Sequence, residues 1–176
     1  VLLYLHGGGY ILGNPEMSAE LIERFINTRP CVVVAPDYRK AYTEPYPAGF
    51  NDCYDTLLWA VQNAAQLGAH SDGVMVAGHS AGGGLAAAVT LKARDTQDVN
   101  VAFQMPIYPM IDDEQPQDVE RDIDVPVWNT LTNGIGWGAY LAGLRQSETA
   151  IPAYAAPARN DNHAGFPPTI TFVGTL

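Results

Sequence analysis

Basic side chains are scarce in this chain: nine Lys and Arg stand against nineteen Asp and Glu, a formal net charge of −10. Nucleic acids and anionic membrane surfaces are bound through basic patches, so a balance of this sign argues against both as partners. Cysteine is nearly absent, with only Cys31 and Cys53 present. Two cysteines at no recognisable spacing build neither a disulfide framework nor a metal site, and both are expected to be buried as small hydrophobes. No apolar run approaches the ~18 residues of a membrane-spanning helix. The opening Val-Leu-Leu-Tyr-Leu follows no basic segment and is too short for the apolar part of a signal peptide, so a cytoplasmic location is the expectation. Internal repeats and low-complexity tracts are missing as well.

What is present is a folding chain. Its 176 residues are 47% hydrophobic and only 16% charged, which suits one domain with a real core. Apolar runs alternate with helical patterns. Residues 1–5, 31–35, 73–77, 101–107 and 168–173 read as strands. Residues 17–28, 50–67 and 81–92 read as helices; in the second of these Cys53, Leu57, Leu58, Val61 and Ala65 recur at helical spacing. Residues 112–151 break the rhythm, acidic at first and then aromatic and glycine-rich, with helix expected around 127–144. Strands alternating with helices predict an α/β fold with a mostly parallel sheet. Strands that are continuously apolar predict helices on both of its faces.

Two motifs carry chemistry. Gly78-His79-Ser80-Ala81-Gly82 follows a strand and opens a helix, the setting in which G-x-S-x-G is a nucleophile elbow. The pentapeptide alone is a weak signal, because glycine and serine are common. The second motif, His6-Gly7-Gly8-Gly9-Tyr10, directly follows the first strand. Successive glycines there can expose backbone N–H groups to a developing oxyanion. A phosphate-binding loop is the competing reading, and it fails for want of G-x-x-x-x-G-K-[ST].

These motifs resemble the hormone-sensitive-lipase family of α/β-hydrolase carboxylesterases. The resemblance extends through Ala35-Pro36-Asp37-Tyr38-Arg39, Tyr46-Pro47-Ala48, Asp52-Cys53-Tyr54, Leu141 and Gly165-Phe166-Pro167-Pro168-Thr169. It implies that the strands are the central parallel strands of an α/β-hydrolase sheet. Residues 1–111 would be core, 112–151 a partial helical cap insert, and 152–176 a return to the core ending after a strand. Ser80 would attack an ester carbonyl, with the amides of Gly8, Gly9 and Ala81 as the oxyanion hole and His6 as a structural residue of the glycine loop. No metal or cofactor is implied. The partner is a small-molecule ester, and a homodimer of the complete protein is left open. The family's elbow has Asp before the serine; this chain has His79, which changes the charge beside the nucleophile.

The same resemblance places the triad acid just beyond Gly174-Thr175-Leu176 and the triad histidine further on, so neither is expected within these residues. Both ends are expected to cut through structure. Of the histidines present, His6 belongs to the glycine loop, His79 adjoins Ser80 but points elsewhere, and His70 is expected at the opposite end of the sheet. His163 is the one left open as a substitute base. A non-catalytic small-molecule binder resembling the plant gibberellin receptors is the alternative from another class, and a peptidase of the same fold is a third.

Overall fold

The computed structural model describes residues 1–114 and 124–174. Four parallel strands form one sheet: β1 (Leu2–Leu5), β2 (Val33–Val34), β3 (Val74–His79) and β4 (Val101–Ile107), in the spatial order β2-β1-β3-β4. Among the described residues five α-helices accompany them: α1 (Ala19–Thr28), α2 (Ala48–Gln62), α3 (Ala81–Thr96), α4 (Thr130–Tyr140) and α5 (Ala142–Gln146). A 3-10 turn over Pro15–Ser18, with the Asn14 side chain accepting from the Met17 amide, leads into α1.

The two-residue period of the strands divides the core. Leu3, Leu5, Val74 and Val76 face α2 and α3, meeting Phe50, Cys53, Leu57, Leu85 and Val89. Leu2, Tyr4 and Ala77 face the other way, toward Leu21, Ile22 and Phe25 of α1. Both faces are therefore covered, and this explains why the strands read as continuous apolar runs. α1 ends at Arg29-Pro30, where proline disfavours helix in the residue before it.

Two expected strands are reduced. Only Val33–Val34 pair in the 31–35 run, and the register Leu2↔Val33 leaves Cys31 short of any partner on β1. Cys31 is exposed rather than buried, a correction; Cys53 is fully buried, as expected. Residues 168–173 touch β4 through two isolated parallel bridges, Gln104↔Thr169 and Ile107↔Phe172. They occupy a fifth strand's place beside β4, but Pro168 contributes only its carbonyl, to the Gln104 amide. In the 112–151 insert, residues 115–123 lie outside the described residues, as do Thr175 and Leu176 at the turn said to precede the triad acid. The helix expected around 127–144 is present as α4 and α5. No helix among the described residues is long and apolar enough to cross a membrane.

Candidate active site

The strand order reverses between β1 and β3: the chain steps outward from β1 to β2 on one side and from β3 to β4 on the other. A crevice outside the carboxyl ends of such a pair is where open α/β sheets bind ligands. The register Leu5↔Gly78 sets the two motifs side by side, because each begins where its strand ends.

Ser80 sits at that end of β3 with φ 55° and ψ −122°, a conformation that L-residues rarely adopt. The turn is held at its backbone. The Ser80 amide donates to Ile107 O at 2.9 Å, and Ser80 O accepts from the amides of Met110 at 2.9 Å and Gly84 at 3.1 Å. Glycine is required on both sides by close approach rather than by φ. A Cβ on Gly78 would lie 2.3 Å from Gly82 O, and one on Gly82 would lie 2.1 Å from Leu5 O. The elbow is thus packed against the end of β1, and α3 begins at Ala81 directly after it.

The glycine loop faces Ser80. Gly8 and Gly9 take φ of 121° and 60°, and Gly8 O accepts from the amides of Ile11 and Leu12. Two imidazoles hold Gly7. His6 Nδ1 donates to Gly7 O at 2.7 Å, and His79 Nε2 accepts from the Gly7 amide at 3.2 Å. In a trans peptide the Gly7 carbonyl and the Gly8 N–H point in opposite directions. The His6 bond therefore fixes the Gly8 N–H pointing away from the His6 ring. Among the described residues, the amides of Gly8, Gly9 and Ala81 donate to no protein acceptor, and the Ser80 hydroxyl makes no hydrogen bond.

Gly8, Gly9 and Ser80 open onto one cavity of about 650 Å³, walled by Tyr108, Met110, Ile111, Trp128 and Trp137, with Asp112 and Asn133 at its polar positions. Apolar walls with a few convergent polar groups are the usual make-up of a small-molecule site. Several of these residues were missed in the sequence. Tyr10 ties the site together: its hydroxyl donates to Met110 O at 2.7 Å, and its ring stacks on Tyr140 of α4 at 4.0 Å. Trp128 lies against Gly9, where a Cβ would come within 2.1 Å of its ring. The fifth residue of the HGGGY motif pointed toward Tyr10. Nothing in the irregular insert singled out Trp128.

The four histidines separate as their positions demand. His6 is buried, stacked on Tyr38 at 4.2 Å, and its Nε2 has no hydrogen-bond partner. Burial holds its pKa below the ordinary imidazole value, so Asp37 Oδ1 at 4.0 Å faces a neutral ring. Both ring nitrogens of His79 are engaged, Nε2 by Gly7 and Nδ1 by the Tyr4 hydroxyl at 3.1 Å. His70 is exposed in the segment before β3, at the amino end of that strand, whereas Ser80 lies beyond its carboxyl end. His163 is exposed beside Asn160 and Phe166 and does not line the cavity. None of them stands as a base beside Ser80. Among the described residues, no cluster of three or more His, Cys, Asp or Glu is placed to hold a metal ion.

Known proteins share this fold. The profile of a family described as alpha/beta hydrolase fold matches residues 2–176. Carboxylesterase NlhH of Mycobacterium tuberculosis is 36% identical over 180 residues, covering 99% of this chain and 54% of its own length. Among solved structures, a bacterial heroin esterase superposes with a TM-score of 0.89 at 36% identity, covering 97% of this chain and 55% of that one. Esterase LipW from Mycobacterium marinum gives 0.88 at 32% identity, covering 97% and 52%. The chain spans about half the length of the curated relatives it matches.

Proposed function

The chain belongs to the hormone-sensitive-lipase-like family of alpha/beta hydrolases, and on that premise we propose that it is the nucleophile-bearing part of a serine carboxylesterase acting on small carboxylic esters of short to medium acyl chain. One observation carries the reading: a backbone-strained Ser80 faces the unpartnered amides of Gly8 and Gly9 across an apolar cavity. Ser80 Oγ attacks the ester carbonyl carbon as its proton passes to a general base. The carbonyl oxygen becomes an oxyanion held by the N–H groups of Gly8, Gly9 and Ala81. Collapse expels the alcohol, which takes up that proton and leaves an acyl-serine. Water then attacks the acyl carbon and releases the acid, restoring the Ser80 hydroxyl.

The general base and its acid partner are drawn from outside these 176 residues, since none of the four histidines is placed for the task. In the same reading residues 112–151 are the cap insert over the 1–111 core, with 152–176 returning to it. Trp137, Tyr140 and Leu141 are buried in the core cluster that includes Tyr10, so this insert is anchored on the core.

The test is a p-nitrophenyl ester series on the full-length protein, with mass spectrometry after a phosphonate ester inhibitor. The expected result is a single adduct on Ser80 and loss of hydrolysis by on the order of 10³-fold or more in Ser80→Ala. Undiminished hydrolysis in Ser80→Ala, or ester binding without turnover in the unaltered protein, would overturn the proposal.

A further inference from the structure

We propose that His79 is a positioning residue for the oxyanion loop, and that its protonation releases the loop and disables the site. The inference rests on the esterase reading of Ser80. A backbone amide can only donate, so the 3.2 Å contact with Gly7 N requires His79 Nε2 to be a bare acceptor. The ring proton is then on Nδ1, donating to the Tyr4 hydroxyl. That hydroxyl belongs to a side chain buried completely under α1, against Phe25. Tyr4, His79 and Gly7 therefore form one relay from the far face of the sheet to the glycine loop.

Contact as well as hydrogen bonding joins ring and loop. A Cβ on Gly7 would lie 2.7 Å from His79 Nε2 and 2.8 Å from Cδ2, so the Nε2–Cδ2 edge of the ring lies against the Gly7 backbone. Gly7 is followed at once by the two amides assigned to the oxyanion. His6 holds the carbonyl of the Gly7–Gly8 peptide, which aims the Gly8 N–H, and His79 holds the N–H of the peptide before it, so losing either frees one of the two peptide planes that meet at the Gly7 α-carbon.

A proton on Nε2 would set donor against donor. The Gly7 amide would lose its acceptor, and the ring would be pushed off the loop. The groups facing His79 do little to favour its charged form. Tyr4 from β1 is a buried phenol, Tyr108 beyond β4 meets the ring edge-on at 6.0 Å, and His6 lies across the loop. Asp112 lines the same cavity, but no ion pair joins it to His79. Burial accordingly keeps His79 neutral to lower pH than an exposed imidazole.

The His6-Gly7 pair is the only His-Gly sequence among the 176 residues, so carbonyl-labelled histidine with amide-labelled glycine selects the Gly7 amide from them by NMR, and the loss of its signal in His6→Gln identifies it in the full-length protein. The Gly7 resonance is expected to move in a single step whose midpoint matches the His79 ring and lies below the ordinary imidazole value. Turnover should lose two protons' worth of activity on the acid side, one from the general base and one from His79. His79→Leu should lower kcat on the order of tenfold or more, with little change in KM. His79→Gln restores an acceptor that does not titrate, so it should recover much of that loss and leave a one-proton acid limb. A Gly7 amide indifferent to the His79 titration overturns the coupling, whatever the activity. So does a His79→Gln profile that keeps the two-proton limb. An inactive protein whose Gly7 amide still follows His79 overturns the esterase reading and leaves the coupling standing.

Discussion

At Ser80 the backbone is held in a region that costs an ordinary residue about 1–3 kcal/mol, and three hydrogen bonds, from the end of β4, the first turn of α3 and the Met110 amide, oppose its relaxation. The absence of a Cβ on Gly82 is as necessary as those bonds. Its nearest neighbours would be Leu5 O at 2.1 Å and His6 O at 2.4 Å, both backbone atoms of β1 and the glycine loop, with no flexible end to give way. Gly82→Ala must therefore push α3 from the sheet or move the loop. We expect a loss of about 2–4 kcal/mol in urea unfolding, together with slower phosphonate labelling of Ser80. Unchanged stability and labelling would mean that the elbow tolerates a displacement the packing forbids. Both glycines could be read from the motif, because its spacing names them. For Gly78 the nearest atom is Gly82 O, within the motif itself, whereas the reason for Gly82 could not be read, because its close approach is to a strand more than seventy positions away in the chain.

The elements differ in how much local chemistry decides them. β3 and α3 were legible in type and in where they start, though their ends were read two and four residues short, since an apolar run, a strained turn and an alanine-rich helix follow one another without interruption. Residues 31–35 and 168–173 were over-read for a common reason. Each lies at an edge of the sheet as described, where pairing depends on one neighbour and apolar content alone does not set its length. α4 was expected within 127–144, although its glycines lower helix propensity. Its start is secured by a capping box in which Asn129 Oδ1 accepts from the Thr132 amide and Thr132 Oγ1 accepts from the Asn129 amide. Its glycines are of two kinds. A methyl added at Gly134 or Gly138 would meet nothing within 4 Å, whereas at Gly136 it would lie 2.8 Å from Gly9 O. Gly138→Ala should stabilise the protein by about 0.5–1 kcal/mol through helix propensity. Gly136→Ala should destabilise it and lower ester turnover by disturbing Gly9. Thermal unfolding and p-nitrophenyl ester assays on the pair distinguish these outcomes; two substitutions of equal effect would refute the contact with the oxyanion loop.

Across the whole molecule, buried titratable groups and loop ion pairs lower stability toward both extremes of pH, each class in its own range. The parallel sheet, its two covered faces and the meeting of the two motifs were legible because they follow from strand order and motif position. The neutral imidazoles and buried phenols were not, since both depend on what covers them after folding. His6 and His79 have pKa values depressed by burial. As pH falls below about 6.5, the unfolded chain takes up their protons first, so this stability is complete above that value and is lost toward the folded pKa. Asp37 and Asp52 are depressed by hydrogen bonds from Lys40 and Arg39, and their contribution is complete above the ordinary carboxylate value and falls away below about 4. Burial raises the phenols of Tyr4, Tyr10, Tyr38 and Tyr140. For these the unfolded chain loses protons first, and stability declines as pH rises past about 10. The urea midpoint should therefore form a plateau between roughly pH 7 and pH 10, with separate declines below about 6.5 and below about 4. His79→Gln should shrink the first decline and leave the second in place. A midpoint that stays level from pH 7 to pH 5, or an equal first decline in His79→Gln, would show that the buried imidazole does not govern stability in that range.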